Sequence, residues 1–365
     1  MGTLLRTFTA LPCPKILMPP ALVFVALLLA PLVMTLLLAL REPADDVFWH
    51  IYDHVLWSYV SGSLRLLLGG GLIALIMGAV SAWLVVTMDI PLRGWLARAL
   101  VLPLAIPAYI TAFTFTETLG EGRLFLGLLD GWGVHITPLD LRHWLGASFV
   151  LAVGLYPYVY ISCVVALTAN RNAALIDAAR LSTGNPLLMF WRVGIPTLRV
   201  PAMIGLLLVA MEILNDYAVA SLYAVPTITW AIVDSWTAMG SLGASLKLSA
   251  LLLLGVLPLI ILERRLRAVA PKGQARGRTA SLTPTSTYVG AMLSAMLFLP
   301  VLAGFVLPIL ALIMLHPDGY LPNALIDTLW LALSVACGVV VMVWVIEWAR
   351  QNMPFQAKAL GAFAL

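Results

Sequence analysis

Charge is what this sequence has least of. Only 10% of its 365 residues are Asp, Glu, Lys or Arg, while 62% are apolar. Soluble domains carry about 25% charged residues, and no soluble interior hides so much apolar surface. The surrounding medium is therefore lipid. Backbone polar groups in lipid need partners within the chain, which restricts spanning elements to helices or a closed barrel. The alternation of a barrel strand is missing, and the apolar runs are long and unbroken. They read as helices.

Cysteine is almost as scarce. Cys13, Cys163 and Cys337 stand far apart, the last two inside apolar runs, which argues against a disulfide or metal framework. No basic patch interleaved with aromatics lies outside the apolar runs, so nothing points to nucleic acid. No Gly-rich loop ends in Gly-Lys-Ser/Thr, and no polar stretch is large enough for a domain that hydrolyses ATP. Among the five histidines, His135, His143 and His316 are isolated. His50, Asp53 and His54 share a helical face and leave two readings open. They are a metal pair without a third strong ligand, or part of an interfacial helix with Phe48, Trp49, Tyr52, Trp57 and Tyr59.

What is present is a series of about eight apolar runs: 16–40, 64–87, 99–116, 146–168, 201–223, 244–262, 289–315 and 324–348. The expected fold is all-α, a polytopic transmembrane helix bundle. The first run is longer than the ~7–15-residue core of a signal peptide and reads as a retained anchor. With the N-terminus in the cytoplasm, sixteen of the 21 Lys and Arg residues fall on the cytoplasmic side, as the positive-inside rule requires. The outer loops are then 41–63, 117–145, 224–243 and 316–323. The stretch 263–288 is basic, then rich in Gly, Ser, Thr and Pro, and reads as a linker.

The most informative cytoplasmic loop is 169–200. Ala173–Leu181 favours a short helix, and Thr183-Gly184-Asn185-Pro186 breaks it. Leu187–Val193 is expected to form a second short helix ending near Pro196. The elbow shows Leu187, Leu188, Phe190 and Trp191 beside Arg180, Arg192 and Arg199. An apolar elbow facing water suits protein docking, and one lying on lipid is equally compatible with these residues.

This loop resembles the conserved cytoplasmic loop of binding-protein-dependent ABC permeases, written Glu-Ala-Ala, three residues, Gly, then a hydrophobic tail closing in Leu-Pro. Here the run is Asp177-Ala178-Ala179, then Phe190, Val193, Ile195 and Pro196. It departs at two positions: the acid is Asp, and Thr183 holds the usual Gly position, with Gly184 one residue later. Segments 98–115, 215–242 and 259–267 are similar to the ferric-iron branch, in which two permease halves are joined in one chain. The resemblance implies a type I ABC importer permease fold in the bacterial inner (plasma) membrane. It implies a first half over 1–266, a linker over 267–287, and the start of a second half over 288–365, where the second coupling loop is absent.

The resemblance also implies the partners: an ATP-binding cassette ATPase dimer, a periplasmic substrate-binding protein, a second permease half or copy, and membrane lipid. The chain itself would be no enzyme and carry no cofactor, with ATP bound on the partner. Asp177, Ala178, Ala179 and Gly184 are the coupling candidates, followed by Phe190, Val193 and Pro196. The cargo it favours is ferric iron, with thiamine, polyamine and phosphonate as alternatives.

Acids inside the membrane are costly and functional by default. Glu212 lies in the fifth run, followed by Asn215, Asp216 and Tyr217. These four are expected either to line a pathway for a cation or oxyanion complex, or to be held by interhelical hydrogen bonds. Pro103 and Pro107 should kink the third run, and glycines 69–71 and 78 allow close helix approach in the second. Three rival functions stand beside the importer: a secondary transporter, which calls for paired membrane acids and broken helices, a membrane enzyme, and a truncated, inactive permease.

Overall fold

The computed structural model describes residues 18–120, 124–131, 133, 135, 137–182, 185–269, 282–315 and 322–352. Apolar runs become helices because lipid leaves the backbone no other partner. In chain order they are α1 (Met18–Arg41), α2 (Asp46–Thr87), strand β1 (Met88–Asp89), α3 (Arg93–Ala99), α4 (Ala108–Leu119), α5 (Leu124–Asp130), α6 (Trp144–Leu167), α7 (Asn170–Ser182), α8 (Pro186–Asn215), α9 (Ala218–Leu222), α10 (Ile228–Thr237), α11 (Leu242–Val269), strand β2 (Thr283–Pro284), α12 (Thr287–Leu315) and α13 (Pro322–Asn352). Among the described residues, six helices are long and apolar enough to cross a membrane: α2, α6, α8, α11, α12 and α13. The chain is an all-α, multi-pass membrane protein.

The third predicted span is not one kinked helix. It is a pair, Arg93–Ala105 and Ala108–Gly127, bent by 94°. Pro103 and Pro107 explain the break. Each lacks an N–H, and Pro107 pushes Ile106 to extended backbone, as found. If the pair crosses as one span it is the seventh, and α1 is a helix over the first predicted run, 16–40.

Further boundaries differ from the sequence reading. The second span begins at Asp46, inside the predicted outer loop 41–63, and not at 64. The fifth span is Pro186–Asn215, not 201–223. Asp216 stops it, leaving the helix for extended backbone and accepting the Val219 N–H at 2.8 Å to start α9. At the other end the helix does not stop near Pro196. A π-turn over Phe190–Gly194 comes just before it, and the wider turn absorbs the bond that proline cannot make. The predicted linker is also shorter, since α11 stays helical to Val269 and α12 begins at Thr287. Residues 270–281 of it lie outside the described residues.

The core is the crossing of α2, α6 and α8. Glycine is required at two points there. A Cβ on Gly78 would stand 2.6 Å from the Val159 Cβ, and one on Gly205 2.5 Å from the Val159 Cα. Both neighbouring helices thus close on the same turn of α6, the small-residue packing that membrane helices use in place of a hydrophobic drive. Tyr156 and Leu151 of α6 are fully buried at this crossing.

The chain divides into two compact units, Glu42–Leu315 and the pair Met1–Arg41 with His316–Leu365. In the larger one, α12 packs on α3, α4 and α6. Its Phe298 ring lies 6.0 Å from Trp95, and a Cβ on Gly304 would meet Pro103 and Val153. The smaller unit holds α1 and α13. The apolar stretch Ile326–Trp344 of α13 has no buried residue.

Candidate functional site: an elbow and an acidic cavity

The elbow is built from α7, the turn after it, and the start of α8. α7 buries Ala173 and Ile176, and Asn172 ties its first turn to α6 by donating to the Ala166 carbonyl at 2.7 Å. The second helix starts cleanly because Asn185 accepts the N–H groups of Leu187 at 2.9 Å and Leu188 at 3.3 Å, with Pro186 at the first position, the pairing expected of a helix N-terminus.

Of the predicted coupling residues, Asp177 is half-buried, with Oδ1 3.9 Å from Nη1 of Arg180 on its own helix. Ala178 is exposed and Ala179 packs against the core. The Phe190 ring lies 5.5 Å from that of the buried Trp83 of α2, tilted by 60°. Val193 is half-buried and Pro196 exposed, whereas Gly184 and Thr183 lie outside the described residues. The outer side of the elbow carries Leu181, Leu187 and Trp191, exposed at 91%, 64% and 62%. Large apolar side chains left exposed on a loop between spans suit a docking surface.

The second feature is a cavity of about 280 Å³ where the broken third span faces α6 and the end of α8. Ile106, Pro107, Ala108 and Tyr109 line it from the break, Leu151, Gly154, Leu155 and Tyr158 from α6, and Glu212 and Asp216 from the last turn of α8 and just beyond. The Tyr158 hydroxyl donates to Glu212 Oε1 at 3.5 Å. Among the lining residues there is no Lys, Arg or His.

Glu212 and Asp216, two of the four predicted pathway residues, are brought together here. Asn215 and Tyr217 are exposed and do not line the cavity. Sequence reasoning missed Tyr109 and Tyr158. The signal for Tyr109 was available, two residues past a helix-breaking proline. Tyr158 meets Glu212 only across 54 positions of chain, which no local pattern reveals. The His50–Asp53–His54 pattern forms a stacked pair of imidazoles, centroids 5.0 Å apart. No group of three His, Cys, Asp or Glu side chains gathers for a metal among the described residues.

The fold and these two sites define a class: a helical membrane bundle with a helical elbow at one end of a span and a polar cavity at the other. Among solved structures, the chain is similar to one in the crystal structure of a bacterial alginate ABC transporter in complex with alginate pentasaccharide-bound periplasmic protein. The TM-score is 0.56 at 15% identity, covering 71% of this chain and 95% of that one. At that identity the likeness concerns the fold. No family model matches the sequence, and no curated protein matches it.

Proposed function

We propose that the chain is the membrane-spanning permease subunit of an ATP-driven importer in a bacterial inner membrane. The observation that carries this reading is the continuity of the elbow with α8. From Phe190 to Glu212 the helix rises about 33 Å at ~1.5 Å per residue, enough to cross a hydrocarbon core of about 30 Å. A push on the elbow therefore reaches the cavity through one stiff element. The transporter fold of the structural neighbour supports the same assignment.

On this reading an ATPase dimer docks on Leu181, Leu187 and Trp191, and a periplasmic binding protein delivers cargo from the far side. A second permease half, or a copy, completes the pathway. Closure of the ATPases tilts α8 and switches the bundle between two packings. Two carboxylates and two tyrosines, with no basic group, favour a cationic cargo over an oxyanion. Ferric iron, the cargo favoured by the sequence resemblance, is a hard cation suited to such oxygen donors.

The test is to assemble the full chain with its cognate ATPase in liposomes and replace Leu187 and Trp191 by Asp. Each leucine- or tryptophan-sized anchor contributes roughly 2 kcal/mol or more when buried at an interface. The double variant should lose the ATPase on purification and lose ATP-dependent uptake. Retention of a fully coupled ATPase would overturn the reading.

One observation favours a second reading, transport driven by an ion gradient. The 94° break and the acids Glu212 and Asp216 beside it are features of secondary transporters. That reading leaves the exposed elbow without a purpose. Uptake driven by a proton or sodium gradient, with no ATPase present, would establish it.

A further inference from the structure

Arg180 sits in the elbow but does not face the exposed apolar side. Its Nη1 meets Asp177, its Nε donates to Thr283 Oγ1 at 3.1 Å, and its Nη2 donates to the Thr87 carbonyl at 3.3 Å. One guanidinium thus joins the end of α2, the end of α7 and strand β2. The planar fork of arginine permits three such contacts in fixed directions, which a lysine ammonium cannot reproduce.

What Arg180 holds is the leading edge of a longer seam. Met88 pairs with Thr283 and Asp89 with Pro284 in a parallel two-strand bridge. Thr285 donates its hydroxyl to the Asp89 carbonyl, and Ser294 donates to the Pro91 carbonyl at 2.8 Å. Trp95 and Phe298 continue the line. A two-residue parallel bridge is too short to be stable alone, so the seam depends on contacts at its ends. β2 leads into α12 after only two residues.

We propose that Arg180 is a positioning residue that ties the elbow to α12. By clamping β2 on β1, it makes any displacement of α7 travel to α12 as well as along α8. Asp177 then serves as the orienting partner of Arg180, working within the chain. This rests on the importer reading for its role in transport, while the clamp itself can be tested without it.

The first measurement is amide hydrogen exchange on the full chain in lipid nanodiscs. Arg180→Gln and Thr283→Val should each speed exchange across 282–291 about tenfold, the scale of one charge-assisted hydrogen bond. The double variant should match Arg180→Gln alone, because Thr283→Val removes a bond that Arg180→Gln has already taken away. Arg180→Lys should restore protection in part. Unchanged exchange in Arg180→Gln, or defects that multiply in the double variant, would overturn the clamp.

The second measurement uses the assembled complex. Arg180→Gln should keep the ATPase bound and hydrolysing, while uptake per ATP falls about tenfold. Release of the ATPase, or uptake per ATP at the wild-type level, would overturn the transmitting role. Should the Leu187 and Trp191 variants keep a coupled ATPase, the importer reading fails, and the exchange result still decides the clamp on its own.

Discussion

The helices of the larger unit differ sharply in what surrounds them. The apolar window of α6 is 67% buried, gripped on both sides at Val159, while that of α11 is 11% buried. Both are equally fit for a membrane by composition. Hydropathy alone therefore does not separate frame from periphery. In lipid, Gly78 and Gly205 mark the frame, because they let backbones touch. α11 has few such contacts along its length and is fastened near its start. There Ser241 donates to Asp45, Lys247 donates to the Glu42 carbonyl at 2.8 Å, and Ser245 donates to the Ile232 carbonyl at 2.9 Å.

The contrast can be broken most severely at Gly205. In Gly205→Leu a side chain must occupy space 2.5 Å from the Val159 backbone, which no rotamer change relieves. Overpacking of this kind costs about 3 kcal/mol or more. The variant should aggregate or unfold early, read as a lost monodisperse peak and a lowered thermal midpoint in detergent.

A smaller effect is expected where α11 is fastened. The hydrogen bond from Ser241, with help from the Phe48 N–H and Lys247, holds the Asp45 carboxyl below its ordinary value. Its folded value is thus lower than its unfolded one, so the contribution is present above about pH 4 and fades as pH falls through the folded value. Acidification should speed amide exchange at 45–49 and 241–246 while leaving 147–160 protected. Asp45→Asn should remove the pH dependence of that difference.

The smallest effect belongs to the exposed length of α11. Leu254 is 60% exposed, and Leu254→Ala should change the thermal midpoint by the equivalent of about 0.5 kcal/mol or less. A large loss there would mean that α11 is packed against another chain in the purified protein.

Much of this architecture is legible in the sequence. Long apolar runs mark the spans, Pro103 and Pro107 a kink that the structure opens into a 94° break, and Gly78 a close approach. The elbow was legible in outline, because Thr183-Gly184-Asn185-Pro186 breaks one helix and an apolar stretch resumes at Leu187. The end of α8 was readable in hindsight: Asp216 three residues before Val219 is a capping pattern, hidden inside an otherwise apolar run. The β1–β2 bridge was not readable. Two-residue strands have no periodicity, and their pairing joins segments nearly two hundred positions apart. The cavity was half legible, since an acid in an apolar run stands out and a tyrosine does not.

The π-turn at Phe190–Gly194 has a further consequence. A π-turn is one surplus residue in an α-helix, accommodated without turning the flanking stretches against each other. Loss of one residue within 190–194 would leave Pro186–Met189 and the Glu212 face in phase. Loss of one residue further along, near Leu207, would swing one end by about 100° against the other and carry Glu212 away from Tyr158. The span therefore has one place where its length is free to drift and about twenty positions where it is not.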